Sequence, residues 1–105
     1  MKYKVIIRPA AENDLKAAFS WYEDKRVGLG YDFLLQVDAG MRFIERNPET
    51  CPSEYKGTRK YLTKRFPYKI MYLVERERII VLAVIHGKRS PDLIKKRMAD
   101  MPSSL

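Results

Sequence analysis

A chain of 105 residues with 46% hydrophobic and 11% aromatic side chains has enough apolar material for one core, no room for a second, and too much for a disordered class. Its 21 Lys and Arg against 13 Asp and Glu give a formal net charge of +8, which points to anionic partners. The first apolar run turns polar at Arg8, nothing approaches the length of a membrane span, and the lone Cys51 has no second cysteine for a disulfide or zinc site. The expectation is therefore a cytoplasmic protein with no membrane segment, no metal and no cofactor.

In chain order, Tyr3, Val5 and Ile7 alternate with Lys4, Ile6 and Arg8, the period of a short strand whose odd residues face a core. Pro9 ends it and opens a helix, in which Ala11, Leu15, Ala18, Phe19 and Tyr22 recur at spacings of three and four as far as about Lys25. Gly28 and Gly30 interrupt that helix. Leu34, Val37, Met41 and Ile44 then mark a second one, stopped at Asn47-Pro48, so the pair makes an antiparallel hairpin. Residues Thr58 to Thr63 form a weaker strand, joined by the loop around Arg65, Phe66 and Pro67 to a second strand in which Tyr68, Ile70, Tyr72 and Val74 alternate with Lys69, Met71, Leu73 and Glu75. After a turn through Arg76, Glu77 and Arg78, the run Ile79–Ile85 is apolar on both faces and reads as an interior strand. Ser90, Pro91 and Asp92 supply an N-cap, a first-turn proline and an acid for a short helix to about Met98. These elements predict an α+β fold: an N-terminal strand, a two-helix hairpin packed on a mostly antiparallel four-stranded sheet, and a short C-terminal helix. One domain over residues 1–100 with a flexible tail at 101–105 is expected.

The charge is unevenly placed. Residues 1–53 carry eight basic and eight acidic side chains, whereas residues 54–105 carry thirteen basic and five acidic, which accounts for the whole excess. Between Tyr55 and Val74, six cations, Lys56, Arg59, Lys60, Lys64, Arg65 and Lys69, occur without an acid. Such a stretch is either a solvated face or a surface for RNA, DNA or an acidic protein.

Several blocks resemble, in order and spacing, the RelE/ParE superfamily of toxins from type II toxin-antitoxin (plasmid stabilisation) systems. They are Ala11-Glu12-Asn13-Asp14-Leu15, Trp21-Tyr22-Glu23, Gly28-Leu29-Gly30-Tyr31-Asp32-Phe33, Asn47-Pro48, Arg59 with Leu62, Arg65-Phe66-Pro67-Tyr68 before Ile70 and Tyr72, and Val84-Ile85-His86-Gly87-Lys88-Arg89. The resemblance covers residues 3–97 and implies two biochemistries on one scaffold. RelE-like members are ribosome-dependent, metal-independent mRNA endoribonucleases. For that branch Lys60 matches a catalytic lysine, Lys69 stands where an arginine is usual, Arg89 matches a phosphate-contacting arginine, and His86 is placed to exchange protons with RNA. Against it, Leu62 replaces a second lysine and the late tyrosine is replaced near Lys95.

ParE-like members are growth inhibitors that bind DNA gyrase and carry no full catalytic set, and the Trp21-Tyr22 region and His86 look closer to this side. An inactive homologue that only binds an antitoxin is the third alternative. In the binding readings Arg59, Lys64, Arg65 and Lys95 are the target-contacting cations. The resemblance further implies a cognate acidic antitoxin from an adjacent gene, in a toxin-antitoxin hetero-oligomer or beside a homodimer, with gyrase or the ribosome and its mRNA as the cellular target.

Single residues have a plain structural reading beside the functional one. His86 suits a structural hydrogen bond, and Arg89 a pair with Asp92 as well as an anion clamp. Tyr61, Tyr68 and Tyr72 suit cross-strand packing more than base stacking, and Trp21 a hinge between helices and sheet more than a ligand contact.

Overall fold

The structure, a computed structural model, describes residues 3–89 and 91–100. Its elements run β1 (Lys4–Ile7), α1 (Pro9–Lys25), α2 (Leu29–Arg46), a short 3-10 turn (Tyr55–Gly57), β2 (Arg59–Leu62), β3 (Tyr68–Glu75), β4 (Arg78–His86) and α3 (Asp92–Ala99). The expected order holds throughout. The tail at 101–105 and the capping role of Ser90 lie outside the described residues.

The four strands form one sheet in the order β1-β4-β3-β2, with β1 parallel to β4 and the other two pairings antiparallel. The long apolar run is therefore interior, as its two apolar faces require. Tyr68, Ile70, Tyr72 and Val74 point to the hairpin side, where they meet Ala11, Ala18, Tyr22, Phe33, Val37 and Ile44. Met71 and Leu73 point the other way, into a smaller cluster under α3 with Ile80, Leu82, Ala83, Ile85 and Ile94. In β1 the odd-residue expectation fails at its end: Tyr3 and Val5 pack on the core, but Ile7 is 38% exposed because the strand's pairing stops there.

One irregularity decides what the end of β4 presents. Met71 pairs with Ala83 and Tyr72 with Val81, so Leu82 has no partner and forms a bulge. Ile79 and Val81 face the hairpin, Leu82 and Ala83 both face α3, and Val84 faces the hairpin again. Strict alternation would send His86 to the α3 side. The bulge instead sets it beside its cross-strand partner Tyr68, with ring centroids 5.7 Å apart.

The hairpin turn is held by a side chain. Gly28 sits at φ +91° in the left-handed region, where a side chain would be strained, and starts α2 as its N-cap. The Glu23 carboxylate, near the end of α1, accepts from the backbone N–H of Gly28 and of Gly30 at 2.9 Å each, placing a negative charge at the positive end of α2. Gly30 thus belongs to the second helix rather than to the break, and its lack of a Cβ lets the helices touch: a Cβ there would lie 2.7 Å from the Phe19 carbonyl oxygen.

Candidate functional site

Where β1 ends, the outer edge of β4 would be left with bare backbone. Pairing with β1 stops at Val81, whose carbonyl accepts from the Arg8 N–H at 3.1 Å. Beyond it two side chains take the place of a strand. The Asp14 carboxylate accepts from the Val84 N–H at 3.0 Å, and the Arg97 guanidinium donates to the Leu82 carbonyl at 3.0 Å. Arg97 also grips Asp14 through both of its terminal nitrogens, with the Nη2–Oδ1 bond at 2.9 Å. Both side chains are more than four-fifths buried, and the hydrogen bond to Asp14 raises the pKa of Arg97 still further. The bridge joins α1 to α3 across the bulge.

Beside this bridge a cleft of about 500 Å³ opens between α1 and the ends of β3 and β4. Ala17, Ala18 and Trp21 form one wall, Pro67 and Tyr68 another, and His86 and Arg89 complete the lining at and beyond the end of β4. Trp21, expected as a hinge between helices and sheet rather than a ligand contact, is 55% exposed and lines the cleft, edge-on to Tyr22 at 5.0 Å, with Lys25 Nζ 4.6 Å from its ring centroid. Helical spacing explains this, because Tyr22 already occupies the inward position four residues after Ala18.

The polar groups in the cleft are mostly donors. The Nδ1 of His86 accepts from the Lys88 N–H at 3.1 Å, which leaves Nε2 as the protonated nitrogen of the neutral ring. Among the described residues, neither the Tyr22 nor the Tyr68 hydroxyl has a protein hydrogen-bond partner. Burial raises the pKa of both, reinforced in Tyr22 by its proximity to Tyr68 and countered in Tyr68 by Arg89, so both are neutral donors at pH 7.

The other nominated residues lie elsewhere. Lys60 pairs across the sheet with Met71, and Lys69 with Leu62 and Ile85, so both cations belong to the α3 side. Lys60 Nζ is held by Glu54 at 2.7 Å. The Lys60, Lys69, His86 and Arg89 set is thus divided between the two faces of the sheet. Arg59 donates to the carbonyls of Glu49 at 3.0 Å and Cys51 at 2.7 Å, bracing the loop after α2 together with the Tyr72 hydroxyl, which donates to the Pro48 carbonyl at 2.9 Å. Arg65 lies 3.4 Å from Asp32 and over the Phe66 ring, Lys95 lies over the Tyr55 ring, and Lys64 is exposed in the β2–β3 loop. Tyr61 and Tyr72 pack in the core, as expected of strand tyrosines, whereas Tyr68 both packs and faces the cleft. Sequence reasoning missed Asp14 and Arg97, and named Tyr22 only as part of the Trp21-Tyr22 block. The available signal was an acid on the inward stripe of an amphipathic helix, between Ala11 and Ala18.

A family model described as the ParE toxin of the type II toxin-antitoxin system parDE matches residues 5–91. The chain belongs to the ParE toxin family. Toxin ParE2 of Mycobacterium tuberculosis, in two strains, is 28% identical over 100 residues, which span 94% of this chain and 95% of that toxin. Two solved structures share the fold. A chain of the chromosomal ParDE system of P. aeruginosa superposes with a TM-score of 0.72 at 18% identity, over 81% of this chain and 96% of that one. A chain of the M. tuberculosis RelBE2 toxin-antitoxin complex gives 0.56 at 18% identity, over 82% and 99%. In this ParE-type toxin, the matched region contains the hairpin, the sheet from Val5 onward and every wall of the cleft.

Proposed function

We propose that this ParE-type toxin arrests growth as a binding protein directed at DNA gyrase, and that an acidic antitoxin encoded beside it silences it. The observation that supports a binding mode over RNA cleavage is the division of the candidate catalytic set. Two cations, Lys60 and Lys69, lie on one face of the sheet, while His86 and Arg89 lie at the cleft on the other. In-line attack by a 2′-hydroxyl needs base, acid and phosphate-stabilising cations around one phosphate, within hydrogen-bond reach of it.

The antitoxin's place is supported by the outer side of the hairpin. Leu15, Phe19, Tyr31 and Leu34 line a shallow groove of about 510 Å³ there, with Tyr31 62% and the nearby Leu35 65% exposed. An amphipathic helix fits such a groove, and the net charge of +8 favours an acidic one.

Expression of the chain alone is expected to arrest growth, and coexpression of an acidic protein encoded beside it to relieve the arrest; normal growth at confirmed soluble expression would count against the toxin reading in the cell. Purified protein is expected to inhibit gyrase supercoiling and to leave translated messages intact. Codon-phased mRNA ends with unimpaired supercoiling would replace this mechanism by the nuclease one.

A further inference from the structure

We propose that the cleft between α1 and the ends of β3 and β4 is an anchor site for a single carboxylate, carried by an acidic side chain of a protein partner. The proposal rests on the acidic-partner reading above only for the source of that carboxylate. The site itself is defined by chemistry.

Four donors line the cleft: the hydroxyls of Tyr22 and Tyr68, the Nε2–H of His86, and the Arg89 guanidinium. Its one acid, Asp14, cannot repel an incoming anion strongly, because both of its oxygens are engaged by Arg97 and one also by the Val84 N–H. A cavity that offers donors and a neutralised acid selects an acceptor-only ligand.

The ligand's charge follows from a count of cations. Arg89 is the one permanent cation among the lining residues, which suits a monoanion and under-compensates a phosphate dianion. Arg also presents the planar fork that matches a carboxylate in two bonds. The remaining walls, Ala17, Ala18, Trp21 and Pro67, are apolar and suit the methylene stem of a Glu side chain or an apolar neighbour. The exposed Trp21 adds its indole to that apolar wall.

The protein carries its own reporters. Trp21 is its one tryptophan and His86 its one histidine, and both line the cleft. The full-length protein is titrated with 3-phenylpropanoate, with the uncharged 3-phenylpropanamide, and with a uridine hexanucleotide, reading Trp21 fluorescence and the His86 ring resonances. The carboxylate is expected to give a saturable change in both signals, and the amide to bind at least about tenfold more weakly, as loss of a charge-assisted hydrogen bond implies. Arg89→Gln abolishes the response, Tyr68→Phe weakens it severalfold, and Arg46→Gln, an exposed cation at the far end of α2, leaves it unchanged, with thermal melts confirming that each variant is folded. The proposal is overturned by equal binding of the amide, by a response independent of Arg89, by no saturable response to the carboxylate, or by Arg89-dependent saturation with the RNA at lower concentration than with the carboxylate. None of these outcomes depends on growth arrest or antitoxin rescue, so the site and the toxin reading stand or fall separately.

Discussion

Asp14 lies three residues after Ala11 and four before Ala18, on a helical stripe that is otherwise apolar. It is tolerated there because Arg97 and the Val84 N–H satisfy it. Removing one partner strands a mostly buried charge, so Asp14→Ala and Arg97→Ala should each destabilise the fold by about 3 kcal/mol in urea unfolding. The double variant should cost clearly less than the sum of the two, because the interaction is lost only once. Additive costs would show the bridge to be energetically idle. A second residue-scale expectation concerns tyrosines. Tyr22, Tyr68 and Tyr72 all have raised pKa values, with burial the largest cause in each. A raised native pKa favours the protonated phenol, so the contribution to stability is complete below the unfolded value of about 10 and is lost as pH rises through the native values. Alkaline titration followed by tyrosinate absorbance should therefore show these three ionising late, together with unfolding. Seven tyrosines titrating as one class near pH 10 would contradict it.

At the scale of elements, the hairpin depends on two small features of its turn. Replacing Gly30 by Ala improves intrinsic helix propensity by up to about 1 kcal/mol. The new Cβ, however, meets the Phe19 carbonyl oxygen at 2.7 Å, a backbone atom that cannot swing aside. Gly30→Ala should consequently be destabilising by roughly 1–3 kcal/mol, the range for overpacking, with the groove on the hairpin's outer side disturbed as well. Glu23→Ala removes the acceptor for two N–H groups at the start of α2 and should cost about 1 kcal/mol. Chemical denaturation of each variant checks both, and a stabilised Gly30→Ala protein would mean that α1 and α2 can separate without penalty. The bulge at Leu82 acts at the same scale: one unpaired residue moves the end of β4 through half a pleat and brings His86 to Tyr68.

Over the whole molecule the charge excess sits in residues 54–105, but the sheet distributes it. Arg59 is spent on loop carbonyls, Lys60 on Glu54 and Arg97 on Asp14, while Lys64, Lys88, Arg89, Lys95 and Lys96 remain exposed. Association with an acidic antitoxin segment should therefore slow as salt is raised, with the change mainly in the on-rate. A rate constant that is flat from low to physiological ionic strength would rule out electrostatic steering. Periodicity alone determined the element order, the hairpin and the interior position of the Ile79–Ile85 run, because which residues can share a buried face is a local property of helix and strand spacing. The family blocks likewise pointed to the ParE match at residues 5–91. Tertiary structure alone decided the rest. A strand apolar on both sides carries no pattern from which a bulge can be read, so the face of His86 was not legible. The partner of Asp14 lies 83 residues away, and the exposure of Trp21 depends on which neighbour takes the inward place. Sites are made where distant segments converge, and one-dimensional spacing does not encode that convergence.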